Sequence, residues 1–158
     1  MSSVAPSSLV LARAGGDDLD DVMAVMCAAF DKRFGEAWTR PQCAGILPMA
    51  GVSLTLARQD GRPAGFSLSR RTADEAELLL IAVHPDAARQ GVGRELLKRF
   101  MADQRLAGAR HLHLEVRDGN PAVELYRHEG FTVAGRRSNY YRGTDGDRFD
   151  ALTMVLTS

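Results

Sequence analysis

The sequence predicts a single α/β domain, a sheet of about seven strands with helices on both faces, in the order β-α-α-β-β-β-α-β-α-β-β. Three observations carry that reading. Glu77–Val83 is a near-continuous apolar run, as expected of a strand covered on both faces. Val92, Leu96, Leu97, Phe100, Met101 and Leu106 follow it at helical spacing. Asp60-Gly61 sits between two alternating segments and marks a tight hairpin.

In chain order, Leu9–Ala14 alternates as a short strand, and Gly15-Gly16-Asp17-Asp18 turns into a helix capped by Asp17 or Asp18. Leu19, Val22, Met23, Met26 and Phe30 give that helix its apolar face. Asp31–Ala37 is expected as loop. A second helix starts at Trp38-Thr39-Arg40-Pro41, with Thr39 as cap and proline in the first turn, and ends near Ile46. Val52–Ala57 and Ala64–Arg70 form the hairpin strands. His84-Pro85-Asp86 stops the apolar strand, and Gly108 stops the long helix. His111–Arg117 is the next strand, Pro121 to about His128 a helix, Phe131–Arg136 a strand, Tyr140–Arg148 a polar loop and Phe149–Leu156 the last strand.

Composition bounds the function. The 158 residues form one domain, 45% apolar and 25% charged, with 20 Lys+Arg against 20 Asp+Glu. There is no basic excess to favour nucleic acid. The longest apolar run, Leu78–Val83, is too short to span a membrane. MSSVAPSS lacks the pattern of a signal peptide. Cys27 and Cys43 carry no tight motif, so reduced thiols and a cytoplasmic location are expected. Neither they nor His84, His111, His113 and His128 show metal-ligand spacing, and no metal is expected.

The loop Arg89-Gln90-Gly91-Val92-Gly93-Arg94 has a chemical reading. Its glycines let backbone N–H groups approach an anion, the helix behind adds unpaired N–H groups and its positive dipole end, and arginine grips phosphate with two donors. The sum is a pyrophosphate cradle; the plain alternative is a helix start with solvated arginines. The strand, the Val83-His84-Pro85 stop, this loop and the helix together resemble the acyl-CoA-binding core of the GNAT N-acetyltransferase superfamily. Leu114-Glu115-Val116-Arg117, Asn120, Leu125-Tyr126 and Gly130-Phe131 are similar to the second half of that core. Within the superfamily the chain most resembles the ribosomal-protein-alanine N-acetyltransferases (RimI-like), closely from Asp74 to Met154 and weakly before Phe30.

The resemblance implies a GNAT-like, mostly antiparallel sheet and acetyl-CoA as co-substrate. It implies that Arg89, Gln90, Gly91, Val92, Gly93 and Arg94 hold the pyrophosphate and that backbone groups of Ile81, Ala82 and Val83 polarise the thioester. It implies Glu115 as general base, Tyr126 as general acid, and Asn120 on the CoA arm. Each has a plainer reading from its residue type: core strand for 81–83, a salt bridge to Arg117 or another arginine for Glu115, a core tyrosine for Tyr126, a turn or cap for Asn120. Glu77, also in mid-strand, is the rival base. Two departures from the family pattern stand out. The interval from Asn120 to Tyr126 is one residue shorter than usual, and Leu80 stands where close relatives often carry Asn.

The resemblance also implies an acceptor groove between Phe34–Trp38 and Asn139–Gly146, with Trp38, Glu77, Tyr140 and Tyr141 as substrate contacts; the plain alternative is two surface loops whose aromatics pack on the sheet. A protein N-terminal α-amine, of the ribosomal-protein alanine type, is the favoured acceptor. A small amine (antibiotic or polyamine) and a non-catalytic acyl-CoA-binding module are the alternatives. No nucleic-acid or membrane partner is expected, and the assembly is expected to be a monomer or weak dimer.

Overall fold

The computed structural model describes residues 8–157; the N-terminal stretch read above for a leader lies mostly outside them. Seven strands, β1 (Leu9–Ala14), β2 (Val52–Gln59), β3 (Arg62–Thr72), β4 (Glu75–Val83), β5 (His111–Arg117), β6 (Thr132–Arg142) and β7 (Arg148–Thr157), form one sheet in the order β1-β2-β3-β4-β5-β7-β6. Neighbours run antiparallel except the β4–β5 pair. Four helices, α1 (Leu19–Ala29), α2 (Arg40–Ile46), α3 (Val92–Leu106) and α4 (Ala122–His128), cover its two faces. The predicted element order stands in full. Among the described residues no helix is long and apolar enough to cross a membrane.

Local signals account for most boundaries. Thr39 Oγ1 accepts from Gln42 N, and Gln42 Oε1 accepts from Thr39 N, a capping box that opens α2. Asp18 precedes α1 as expected but does not cap it with its side chain; its carboxylate reaches back to the Gly15 N–H at 2.9 Å. Leu106, assigned from spacing to the buried face of α3, is 91% exposed, and Gln104 is buried in that last turn instead.

Two cores lie on opposite sides of the sheet. Leu19, Val22, Val25 and Met26 of α1 pack on Leu54, Leu56, Phe66, Leu68, Leu80 and Ala82. Leu97, Phe100 and Met101 of α3 and Val123 and Tyr126 of α4 pack on Ala76, Leu78, Leu112, Leu114, Val116 and Met154. Thus β4 changes sides along its length. The register with β3 passes from Leu68↔Leu80 to Ser69↔Leu78, leaving Leu79 as an extra residue. Such a bulge inverts the alternation, so Ala76 and Leu78 face α3 and α4 while Leu80 and Ala82 face α1.

The expected polar loop at Tyr140–Arg148 is shorter than its composition suggested. Strand β6 runs on to Arg142 through a register irregularity between Arg137 and Tyr141, and Tyr141 pairs with Phe149. Ladder hydrogen bonds to β7 override the turn-forming character of this polar segment.

Candidate active site

The site begins where two parallel strands part. β4 pairs with β5 only from Glu75↔His111 to Leu78↔Leu114. Beyond that, Leu79–Val83 has no ladder partner on its β5 side, and Glu115–Arg117 none on its β4 side. The bulge at Leu79 stands at the fork. The backbone groups of Leu79–Val83 that point away from β3 thereby have no strand partner and face the opening.

Two hollows meet at this fork. One, of about 510 Å³, is lined by Ile81, Ala82, Val83 and Gly93 on one side and Asn120, Leu125 and Tyr126 on the other. The second, of about 110 Å³, is lined by Trp38, Glu77, Glu115, Tyr140 and Tyr141. Glu36, Ile81, Asn120 and Tyr126 line both. The fold thus gathers the expected thioester, base, acid and acceptor residues around one opening.

At the end of the larger hollow is the glycine loop. Gly91 precedes α3 with φ +79°, a conformation that a side chain would strain, and so turns the chain into the helix. The first turn of α3 then offers free N–H groups at the positive end of a 15-residue helix. A Cβ on Gly93 would stand 3.4 Å from Val83 Cγ2 and 3.5 Å from Leu125 Cδ2, partly filling the hollow between β4 and α4. Arg89 and Gln90 are exposed beside the loop. Arg94 is turned toward Glu129, whose Oε1 lies 3.3 Å from its Nε.

Glu115 is 12% exposed by side chain. Its Oε2 accepts from Thr153 Oγ1 at 2.8 Å, and its Oε1 lies 3.1 Å from Arg137 Nε. The competing salt-bridge reading of Glu115 is thus present, through Arg137; Arg117 has another partner. Glu77 faces Arg70 more loosely, at 3.9 Å. Tyr141 donates from its hydroxyl to the Glu115 carbonyl at 3.4 Å and packs edge-on to Tyr140, centroids 4.9 Å apart.

Tyr126 is 5% exposed, and its ring packs edge-on against Phe131. Its hydroxyl has no hydrogen-bond partner among the described residues. Burial pushes this phenol well above its ordinary value, and Tyr141 and Glu36 push it the same way. Burial likewise raises Tyr141, with Glu36, Tyr140 and Glu115 adding to the rise and Arg117 opposing it. Both phenols therefore hold their protons across the neutral range.

Sequence reasoning placed Glu36 in the acceptor loop, as one of the few acidic groups available to a small-amine acceptor, and did not foresee its partners. Its side chain is 9% exposed; Oε1 accepts from Arg117 Nε at 3.0 Å and Oε2 from Asn120 Nδ2 at 2.6 Å. The Arg117 guanidinium stacks 3.7 Å from the Phe34 ring centroid, and Phe34 packs edge-on against Phe149. The loop is fastened on its far side as well. A Cβ at Gly35 would collide with the Arg142 carbonyl, and one at Gly143 with the Arg33 carbonyl. No local pattern announces these partners, which lie more than eighty residues away in the chain.

The model of the acetyltransferase (GNAT) domain matches residues 51–133. The ribosomal protein bS18-alanine N-acetyltransferase of Escherichia coli (strain K12) is 46% identical over 99 residues, which cover 62% of this chain and 66% of that relative, just under two thirds of its length. Mycothiol acetyltransferase of Clavibacter sepedonicus is 32% identical over 153 residues, covering 87% of this chain and 47% of that protein. The crystal structure of the ribosomal-protein-S18-alanine N-acetyltransferase from Escherichia coli superposes with a TM-score of 0.84 at 33% identity, over 95% of this chain and 94% of that one.

Proposed function

The chain belongs to the GNAT acetyltransferases, and from that premise we propose that it moves an acetyl group from acetyl-CoA to the N-terminal α-amine of a protein, of the ribosomal-protein alanine type. The observation that carries the reading is the parting of β4 and β5 beyond Leu78 and Leu114, which opens one space to Glu115, Tyr126 and the backbone of 81–83. The names of the similar proteins support the choice of acceptor.

Acetyl-CoA supplies an activated acyl thioester. The N–H groups at the start of α3 and the 89–94 loop hold its pyrophosphate, and Asn120 meets its arm. Ile81–Val83 present backbone donors to the thioester oxygen as it gains charge, a kind of contact worth several kcal/mol in such sites. Glu115 takes a proton from the acceptor ammonium through a water, freeing the nitrogen lone pair. An α-amine has a pKa of about 8, so a fraction of the acceptor is already neutral at physiological pH. The nitrogen bonds to the acetyl carbon, the carbon–sulfur bond breaks, Tyr126 gives its phenol proton to the sulfur, and the second proton of the new amide nitrogen passes back to the phenolate, leaving a neutral amide and a restored phenol. Tyr140, Tyr141 and Trp38 wall the acceptor side.

A small cationic amine is the second reading, and one observation favours it: Glu36, Glu77 and Glu115 all line the smaller hollow. Incubation with labelled acetyl-CoA, a panel of N-terminal peptides and a panel of small amines separates the two. Label on alanine-started peptides is expected. Label on small amines alone overturns the acceptor, and the absence of saturable acetyl-CoA binding in calorimetry overturns the whole reading.

A further inference from the structure

The Glu36 carboxylate is nine-tenths buried, lines both hollows, and is held on two sides by donors from the far wall of the fork. We propose that Glu36 is a positioning residue for acyl-CoA binding, acting by fixing the direction of the Asn120 amide. The proposal rests on the reading that the larger hollow takes acetyl-CoA.

The argument is one of donors and acceptors. An Asn amide has an oxygen that accepts and a nitrogen with two donor hydrogens, and its two orientations differ little in shape. Here Asn120 Oδ1 accepts from the Ala122 N–H at 2.9 Å, and Nδ2 donates to Glu36 Oε2 at 2.6 Å. A carboxylate can only accept, so a flipped amide would set oxygen against oxygen and lose the bond from the Ala122 N–H as well. Glu36 thereby commits one Nδ2 hydrogen and leaves the other for the hollow that Asn120 lines. Glu36 can do this because its other oxygen is anchored. Arg117 Nε reaches it at 3.0 Å, and Arg117 is itself clamped on Phe34. The glycine contacts at 35 and 143 lock the loop that carries it. An acceptor-side loop thus sets a contact on the acyl-CoA side.

Glu36→Gln separates positioning from mere support. Two donors, Arg117 Nε–H and Asn120 Nδ2–H, need two acceptor oxygens, and glutamine has one. The charged arginine takes it, being the stronger donor, and Asn120 loses its guide. Asn120→Ser is the partner variant, since serine can still accept from the Ala122 N–H but carries no amide. Acetyl-CoA affinity is measured by calorimetry for the wild type, both variants and the double variant, with melting temperatures alongside. Each single change is expected to weaken binding about tenfold, and the double variant to bind no more weakly than Asn120→Ser, because interacting residues are non-additive. Unchanged affinity in either single variant overturns the proposal, as does a Glu36→Gln loss that persists in full in the Asn120→Ser background. Wild-type protein that fails to bind acetyl-CoA overturns both this and the functional reading; wild-type binding with an additive cycle overturns this alone.

Discussion

Replacing Glu115 by glutamine should abolish most turnover and leave the protein folded. The side chain keeps its shape, and the Thr153 hydroxyl at 2.8 Å finds an amide in place of a carboxylate. The ion pair with Arg137 is lost, but that arginine is 61% exposed, and pairs of this kind contribute about 0–1 kcal/mol. For a domain of this size 1 kcal/mol corresponds to roughly 2–4 °C in melting temperature. Loss of a general base costs far more in rate, about 10²- to 10⁴-fold, or about 2.7–5.4 kcal/mol of barrier. The assay is initial rate at saturating acetyl-CoA and saturating alanine-started peptide, with a thermal melt and acetyl-CoA calorimetry on the same sample. A kcat within tenfold of wild type refutes the assignment. If Glu77→Gln then removes turnover instead, the carboxylate on β4 is the base.

Tyr126→Phe should lower kcat by a factor in the same range with acetyl-CoA affinity nearly unchanged; a loss in affinity alone would make the tyrosine a packing residue. Because burial raises this phenol, wild-type kcat should show no Tyr126 deprotonation limb below about pH 10, the unperturbed phenol value. Gly91→Val places a β-branched residue at φ +79° in otherwise open space, so it should lose about 1–2 kcal/mol of stability and most acetyl-CoA affinity; binding like wild type would remove the cradle from the mechanism. A thiol reagent should label Cys27, which is exposed, within minutes, and reach Cys43 only on unfolding, since burial both shields that thiol and raises its pKa; rapid labelling of two thiols in the native protein contradicts the packing of α2.

What the sequence determined by itself is whatever a few neighbouring residues decide. The Thr39 cap with Gln42, the Asp60-Gly61 hairpin, the Gly91 entry to α3 and the Gly108 exit each rest on contacts or dihedrals within four residues, and each stands where the pattern put it. The apolar run of β4 announced a strand covered on both faces, although not that a bulge at Leu79 divides it between the two cores. The motif residues Glu115, Asn120 and Tyr126 were legible through family resemblance, and their shared opening was not. Tertiary structure alone decided where β4 and β5 part, how far β6 runs before its turn, and which carboxylate Arg117 takes. These depend on strand register and on partners such as Glu36 and Arg117, 81 residues apart, or Glu36 and Asn120, 84 apart. A side chain's local pattern records its propensity and its face, but a buried charge is settled by whichever distant donor the closed fold brings within 3 Å, because in low dielectric an unpaired charge is too costly to leave.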